Sequence, residues 1–274
     1  VTIGPLLAAA GLPAPEARAL LAQVLGLRRE TVLAHPERAV APQMQARFEQ
    51  LAARRRAGEP LAYLLGRREF YGREFEVGPA VLIPRPETEL LVELALEAVA
   101  GKATPCVLDL GTGSGCIGIT LALERLQTRV TAVDVSAAAL ALAHANAQRL
   151  GARVAFCAGD WYAPLAGRRF DVIVANPPYV AAGDPHLAQG DLRYEPPQAL
   201  TDAADGLACL RRIVSGAPAH LVASGWLGVE HGCDQAEAVR ELFAAAGFQQ
   251  VATVRDATGL DRATHGRALP QTPV

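Results

Sequence analysis

The sequence predicts an α/β protein in which a doubly wound, largely parallel sheet follows a small helical region. Three observations carry this. From residue 105 onward, short β-rich runs alternate with helix-length stretches, the pattern of strands joined by crossover helices. A glycine-rich turn, "GTGSG" at 111–115, falls between the first of those strands and its helix, where small residues let the backbone approach a ligand. Residues 1 to 72 instead show helical periodicity broken at Gly11, Pro36 and Pro42. At 274 residues the chain can bury two globular units.

In the helical unit, expected over 1–72, Leu20, Leu21, Val24 and Leu25 share one face, as do Met44, Phe48, Leu51 and Ala52. The Arg54-Arg55-Arg56 run precedes Gly58, which suits a helix C-terminus and its cap better than an RNA patch. A linker is expected over 73–100. Its aromatic and β-branched runs around Gly72 and Gly78 predict a hairpin, and Pro86-Glu87-Thr88-Glu89 opens a helix with acids in its first turn. The sheet domain is expected over 101–274. Its strands are "CVLDL", "RVTAVDV", "RVAFCAG", "FDVIVA", "WLGVEHG" and runs near 248–255 and 263–268; helices begin near 115, at Ser136, near 206 and near 234. Residues 180–205 lack periodicity and follow Asn176-Pro177-Pro178-Tyr179 directly, which predicts a lid.

Charge narrows the function classes. Residues 1–100 carry 12 Lys/Arg against 12 Asp/Glu, and residues 101–274 carry 14 against 16. Neither half has the basic surplus that extended nucleic-acid binding requires. The N-terminal "VTIGPLLAAAGLPAPEARALL" has no basic start, and Pro13, Pro15, Glu16 and Arg18 interrupt it, so no signal peptide is expected. No apolar run reaches bilayer length. A soluble, cytoplasmic, monomeric protein is expected, with its five scattered cysteines as buried free thiols. Neither these cysteines nor the six histidines have metal-ligand spacing, so no metal site is expected.

The glycine turn selects among ligands. A P-loop would need a lysine where Ile119 stands. Gly113, Gly115 and Gly118 match the dinucleotide pattern GxGxxG, and Asp134, at the end of the second strand, could accept from a ribose diol in either NAD or an adenosyl cofactor. Asp109 is expected to decide: a carboxylate aimed into the crevice repels a pyrophosphate and attracts an ammonium or a sulfonium. S-adenosylmethionine carries both cations and no phosphate. Asp160 and Trp161 are expected to flank the adenine, acid to the exocyclic amine and indole to the ring face.

Asn176 ends the fourth strand, and in a doubly wound sheet the first and fourth strands flank the ligand crevice. Proline lacks an N–H, so Asn176-Pro177-Pro178 presents acceptors with few competing donors. A planar NH2 group would donate to the Asn176 side-chain oxygen and the Pro177 carbonyl, with Tyr179 against its flat face. Acceptors fixed there stabilise the positive charge that grows on an amide or arylamine nitrogen as it attacks a methyl sulfonium.

These residues resemble the HemK/PrmC family of glutamine methyltransferases, which act on peptide chain release factors. The resemblance rests on "GEPLAYLLGRREFYG", "LIPRPETELLVE", "VLDLGTGSGCIGI", "AVDVS", "GDW", "NPPYV" and "YEPPQAL". It implies a class I S-adenosylmethionine-dependent methyltransferase domain with a seven-stranded, Rossmann-like sheet, a hairpin linker, and an N-terminal helical domain that helps engage the release factor. It further implies cofactor contacts at Gly111, Thr112, Gly113, Ser114, Gly115, Asp134, Trp161 and Asn176, and a substrate glutamine, from a Gly-Gly-Gln loop, held by Asn176 to Tyr179. Two other functions remain open at this point, N6-adenine methylation of DNA or RNA and NAD-dependent oxidoreduction, and so does a non-catalytic nucleotide-sensing adaptor.

Overall fold

Strand alternation sets the layers of the molecule. In "CVLDL" Val107 and Asp109 point to one face of the sheet and Leu108 and Leu110 to the other, the period-two pattern of a strand covered on both sides. The computed structural model, which describes residues 1–269, builds on that alternation.

The N-terminal unit contains α1 (Ile3–Ala8), α2 (Ala14–Leu25), α3 (Arg29–Ala34), α4 (Pro42–Arg56) and α5 (Leu61–Leu65). Its own core includes Ile3, Leu20, Leu21 and Phe48, each at most 1 % exposed. The arginine run does fill the last turn of α4, as expected. It also docks: Arg55 pairs with Glu16 at 2.7 Å and with Asp191 at 3.0 Å, far along the chain.

A hairpin of β1 (Arg67–Phe70) and β2 (Arg73–Glu76) follows, turning at Tyr71-Gly72, so the boundary expected at residue 72 falls inside its turn. Gly78 lies beyond the second strand. A 3₁₀ turn, Pro86–Thr88, leads into α6 (Glu89–Val99). The sheet domain then runs β3 (Cys106–Leu110), α7 (Cys116–Glu124), β4 (Arg129–Asp134), α8 (Ala137–Leu150), β5 (Val154–Ala158) and β6 (Phe170–Ala175). After a long connection containing α9 (Pro197–Leu200) come α10 (Ala208–His220), β7 (Leu221–Glu230), α11 (Ala236–Ala245), β8 (Gln249–Arg255) and β9 (Asp261–Arg267). Residues 270–274, the end of the unit expected over 101–274, lie outside the described residues.

The seven strands lie in the order β5-β4-β3-β6-β7-β9-β8, with β9 antiparallel to both its neighbours and the remaining pairs parallel. This is the class I methyltransferase fold. Helices α6, α7 and α8 cover the Val107 face and α10 and α11 the Leu108 face. All five cysteines are free, but only Cys116 is buried; Cys233 is exposed, because it follows β7 in a surface turn. Among the described residues, no helix is long and apolar enough to cross a membrane.

Residues 180–207 form a strap with two 3₁₀ turns, Pro185–Ala188 and Leu192–Tyr194. It is anchored near its middle, at adjacent residues, to both the helical unit and the linker. The Tyr194 hydroxyl donates to the Ala57 carbonyl at 2.8 Å, and the Ile83 N–H donates to the Glu195 carboxylate at 2.9 Å, with Arg85 on the other Glu195 oxygen.

Asn146, fully buried in α8, ties the hairpin to the glycine turn. Its Nδ2 donates to the Glu76 and Ser114 carbonyls, each at 3.0 Å, and its Oδ1 accepts from the Glu76 N–H at 2.7 Å. Asn146→Ala strands these groups, so a loss of about 1–3 kcal/mol is expected. Chemical denaturation checks this; an unchanged midpoint would mean that the hairpin is held by its apolar contacts alone.

Candidate active site

The pairing of β3 with β6 determines where chemistry can occur. Leu110 lies opposite Ala175, so the chain leaves the sheet at Gly111 and Asn176 side by side, at the point where the strand order reverses. A cavity of about 550 Å3 opens there. That volume suits a nucleoside-sized ligand.

The glycine turn is held from below and behind. Gly111 and Thr112 donate their N–H groups to the Val133 carbonyl at 2.8 and 3.0 Å, and Gly113 donates to Asp134 Oδ2 at 2.8 Å. Asp134 Oδ1 accepts from the Ser136 N–H at 2.9 Å, while Ser136 caps α8 by accepting from the Ala139 N–H. Each Asp134 oxygen keeps a lone pair for a ligand hydroxyl. Gly113 has φ +55°, and a Cβ added there would meet nothing closer than 4.0 Å, so its freedom serves the loop conformation and leaves the cavity side open.

Gly111, Thr112, Gly113, Ser114, Asp134, Asp160, Trp161, Asn176 and Pro178 all line this cavity. Trp161 lies with its ring edge 3.3 Å from where a Gly111 Cβ would stand. Its own backbone is left-handed, φ 49°, a conformation unusual for so bulky a residue. Asp160 is exposed at the rim and pairs with Arg212 through one oxygen.

Three expectations are corrected by geometry. Asp109 is not aimed into the crevice: alternation along β3 turns it to the α7 face, where it is fully buried and its Oδ2 accepts from the Thr112 hydroxyl at 2.6 Å and the Gly118 N–H at 3.0 Å. Burial pushes its carboxyl up to about 6 against the pull of those two donors. It clamps the loop to the helix. Gly115 is likewise not in the lining; a Cβ there would stand 2.6 Å from Ile119 and 3.2 Å from Ala143, so its smallness serves helix packing. Pro177 is buried between Asn176 and Pro178, which both line the cavity. Tyr179 is also absent from that wall, because its hydroxyl is drawn away to donate to Glu230 Oε1 at 3.2 Å.

The acids that do face the cavity are Asp134, Asp160 and Asp202, and the two arginines there, Arg85 and Arg212, already have carboxylate partners in Glu195 and Asp160. The unbalanced charge is therefore negative. It favours a cationic ligand and opposes a pyrophosphate.

Two residues that sequence reasoning missed complete the site. Thr88, 2 % exposed at the entrance to α6, accepts from Asn176 Nδ2 at 3.1 Å and donates to Glu230 Oε2 at 2.7 Å. Glu230, 1 % exposed at the end of β7, thus receives both the Thr88 and the Tyr179 hydroxyls. Burial pushes its carboxyl up to about 6, the Thr88 and Tyr179 hydroxyls and the charge of Arg262 opposing that rise and Glu87 adding to it. The signal was present: a carboxylate ending the apolar run "WLGVE" is costly to bury without partners. Among the described residues, Asn176 Oδ1 and the Pro177 carbonyl have no hydrogen-bond partner.

Comparison with known proteins agrees with this architecture. Residues 86–191 match the family model described as "Methyltransferase small domain", and residues 5–66 match "PrmC N-terminal domain", which ends where the hairpin begins. The chain is 57 % identical over 262 residues to a release factor glutamine methyltransferase of Bordetella pertussis, covering 95 % of this chain and 97 % of that protein. It is 52 % identical over 273 residues to one from Burkholderia pseudomallei, covering 97 % and 96 %. Among solved structures, the T. thermophilus 16S rRNA N2 G1207 methyltransferase, in complex with AdoMet and guanosine, shares the fold with a TM-score of 0.56 at 22 % identity, over 74 % of this chain and 49 % of that one. With relatives this similar along nearly its whole length, the chain belongs to the release factor glutamine methyltransferase family.

Proposed function

We propose that this enzyme transfers a methyl group from S-adenosylmethionine to the side-chain amide nitrogen of the glutamine in the Gly-Gly-Gln motif of peptide chain release factors, in the cytoplasm. The observation that carries this reading is the pair of unclaimed acceptors beside the cavity, Asn176 Oδ1 and the Pro177 carbonyl. Two acceptors and no competing N–H are what a planar NH2 group requires.

The cofactor's fit rests on the cavity lining. Open space at Gly113, free lone pairs on Asp134, the Trp161 ring and a net negative wall suit an adenosyl group carrying an ammonium and a sulfonium. When bound, S-adenosylmethionine supplies an electrophilic methyl, whose bond to sulfur breaks with its electron pair left on a neutral thioether as the bond to nitrogen forms. Asn176 and Pro177 supply the rest. A glutamine amide nitrogen is a poor nucleophile, its lone pair being delocalised, and positive charge grows on it during attack. Oxygen acceptors held at its two N–H groups stabilise that charge and orient the lone pair toward the methyl. The methylated amide is acidic enough to release its proton to solvent, so no general base is assigned.

Asp134 and Trp161 act in cofactor binding in this reading, and the helical unit, with the strap that its Arg55 and Ala57 hold, in engaging the protein substrate.

Incubation with labelled S-adenosylmethionine should place the methyl on glutamine of a Gly-Gly-Gln peptide or unmodified release factor, as located by mass spectrometry. Transfer to adenine in DNA, with none to glutamine, would overturn the substrate assignment. Asn176→Ala should lower kcat by about 100- to 1,000-fold, as loss of one transition-state acceptor does, while cofactor affinity by calorimetry stays near that of the parent protein. Undiminished turnover would remove Asn176 from the mechanism.

A further inference from the structure

An asparagine amide has nearly the same shape when rotated by half a turn, yet the two orientations offer opposite chemistry. With Oδ1 toward the substrate, Asn176 accepts; with Nδ2 there, it places donors against donors. Something must choose.

We propose that Thr88 and Glu230 are positioning residues that set the orientation of the Asn176 amide, so that its oxygen always faces the substrate nitrogen. The choice follows from counting protons. An ionised carboxylate accepts only, and Glu230 Oε2 lies 2.7 Å from Thr88 Oγ1, so the single Thr88 hydroxyl proton is committed to it. Thr88 has only lone pairs left to offer Asn176, 3.1 Å away, and only Nδ2 can answer them. Oδ1 is thereby turned the other way. The second Glu230 oxygen accepts from Tyr179, so one carboxylate aligns the residues on both sides of Pro177-Pro178.

Placement in the fold supports the same conclusion. Strand β7 pairs with β6 at Val229 opposite Ala175, which puts Glu230 beside Asn176 on the α6 face, and Thr88 stands at the mouth of α6 between them. Glu230 is buried and absent from the cavity wall, and the hydroxyl of Thr88, which borders the cavity, is spent on Glu230 and Asn176, so both act on substrate through Asn176.

The inference rests on the methyl-transfer reading, and its test separates the two. Thr88→Val keeps the side-chain shape and removes the hydroxyl. With the full chain, S-adenosylmethionine and a Gly-Gly-Gln peptide, kcat should fall about 10- to 100-fold, with KM for the cofactor little changed. Thr88→Ser should restore most of the rate. In an Asn176→Ala background Thr88→Val should cost nothing further, since it acts through a group already removed. Glu230→Gln, which offers an N–H where only lone pairs stood, should lower kcat similarly and serves if Thr88→Val fails to fold.

A second readout needs no turnover. The chain has two asparagines, Asn146 and Asn176, so selective 15N-asparagine labelling gives two side-chain amide signals. Thr88→Val should shift that of Asn176 and leave that of Asn146 in place. Parental kcat in both Thr88→Val and Glu230→Gln, an equal loss in the parent and Asn176→Ala backgrounds, or an unmoved Asn176 signal would each overturn the proposal. If the parent protein itself methylates no glutamine, the substrate reading fails instead, and the amide signal still decides the orientation.

Discussion

Everything at this site depends on β3 and β6 being neighbours. They are separated in the chain by two helices and two strands, yet their parallel pairing, Val107 to Val172 through Leu110 to Ala175, brings two strand ends together where the winding of the sheet reverses. Crossover helices on one side cannot close over the other, so a crevice must open there. The glycine turn and Asn176 are the residues that the chain happens to place at its lips. Their positions are set by strand register, and a one-residue slip would turn both strands inside out.

Buried carboxylates then hold the irregular segments that leave the sheet. Asp109 gathers Thr112 and the Gly118 N–H, Glu230 gathers Thr88 and Tyr179, and Glu195 gathers the Ile83 N–H and Arg85. Such burial is unfavourable on its own, which is why the Asp109 and Glu230 carboxyls are pushed up to about 6. The return is order. A loop with little apolar surface cannot be fixed by packing, whereas an acceptor with several lone pairs can fix two or three donors at once.

Much of this was legible in the sequence. The alternation of β-rich runs and helices locates all seven strands, and the order of the first four places Asn176 against the glycine turn, because register and topology follow from hydrophobic period and winding rules. What failed was direction. Asp109 looked like a crevice residue because it lies two positions before Gly111, but in a strand Val107 and Asp109 must share a face, and that face is roofed by α7. Tyr179 looked like a stacking platform, and its hydroxyl was instead claimed by a carboxylate 51 positions away. Long-range polar pairs of this kind leave no periodic trace, so Thr88 and Glu230 could be suspected only from the cost of burying them.

The hairpin linker carries a consequence for how the two units depend on each other. Residues 80–82, Pro84, Arg85 and Thr88 line the cavity together with strand-end residues, and the strap from the far side contributes residues 197–199 and 201–203. The same linker starts at the helical unit and ends in the hydroxyl that orients Asn176, while the strap is tied to Ala57 and Arg55 in α4 and its immediate flank. A bare sheet domain beginning at β3 would keep the glycine turn and Asp134 but have no acceptor for Asn176 Nδ2. The orientation of the Asn176 amide is therefore a property of the linked chain, because the acceptor that fixes it lies in the segment joining the helical unit to the sheet.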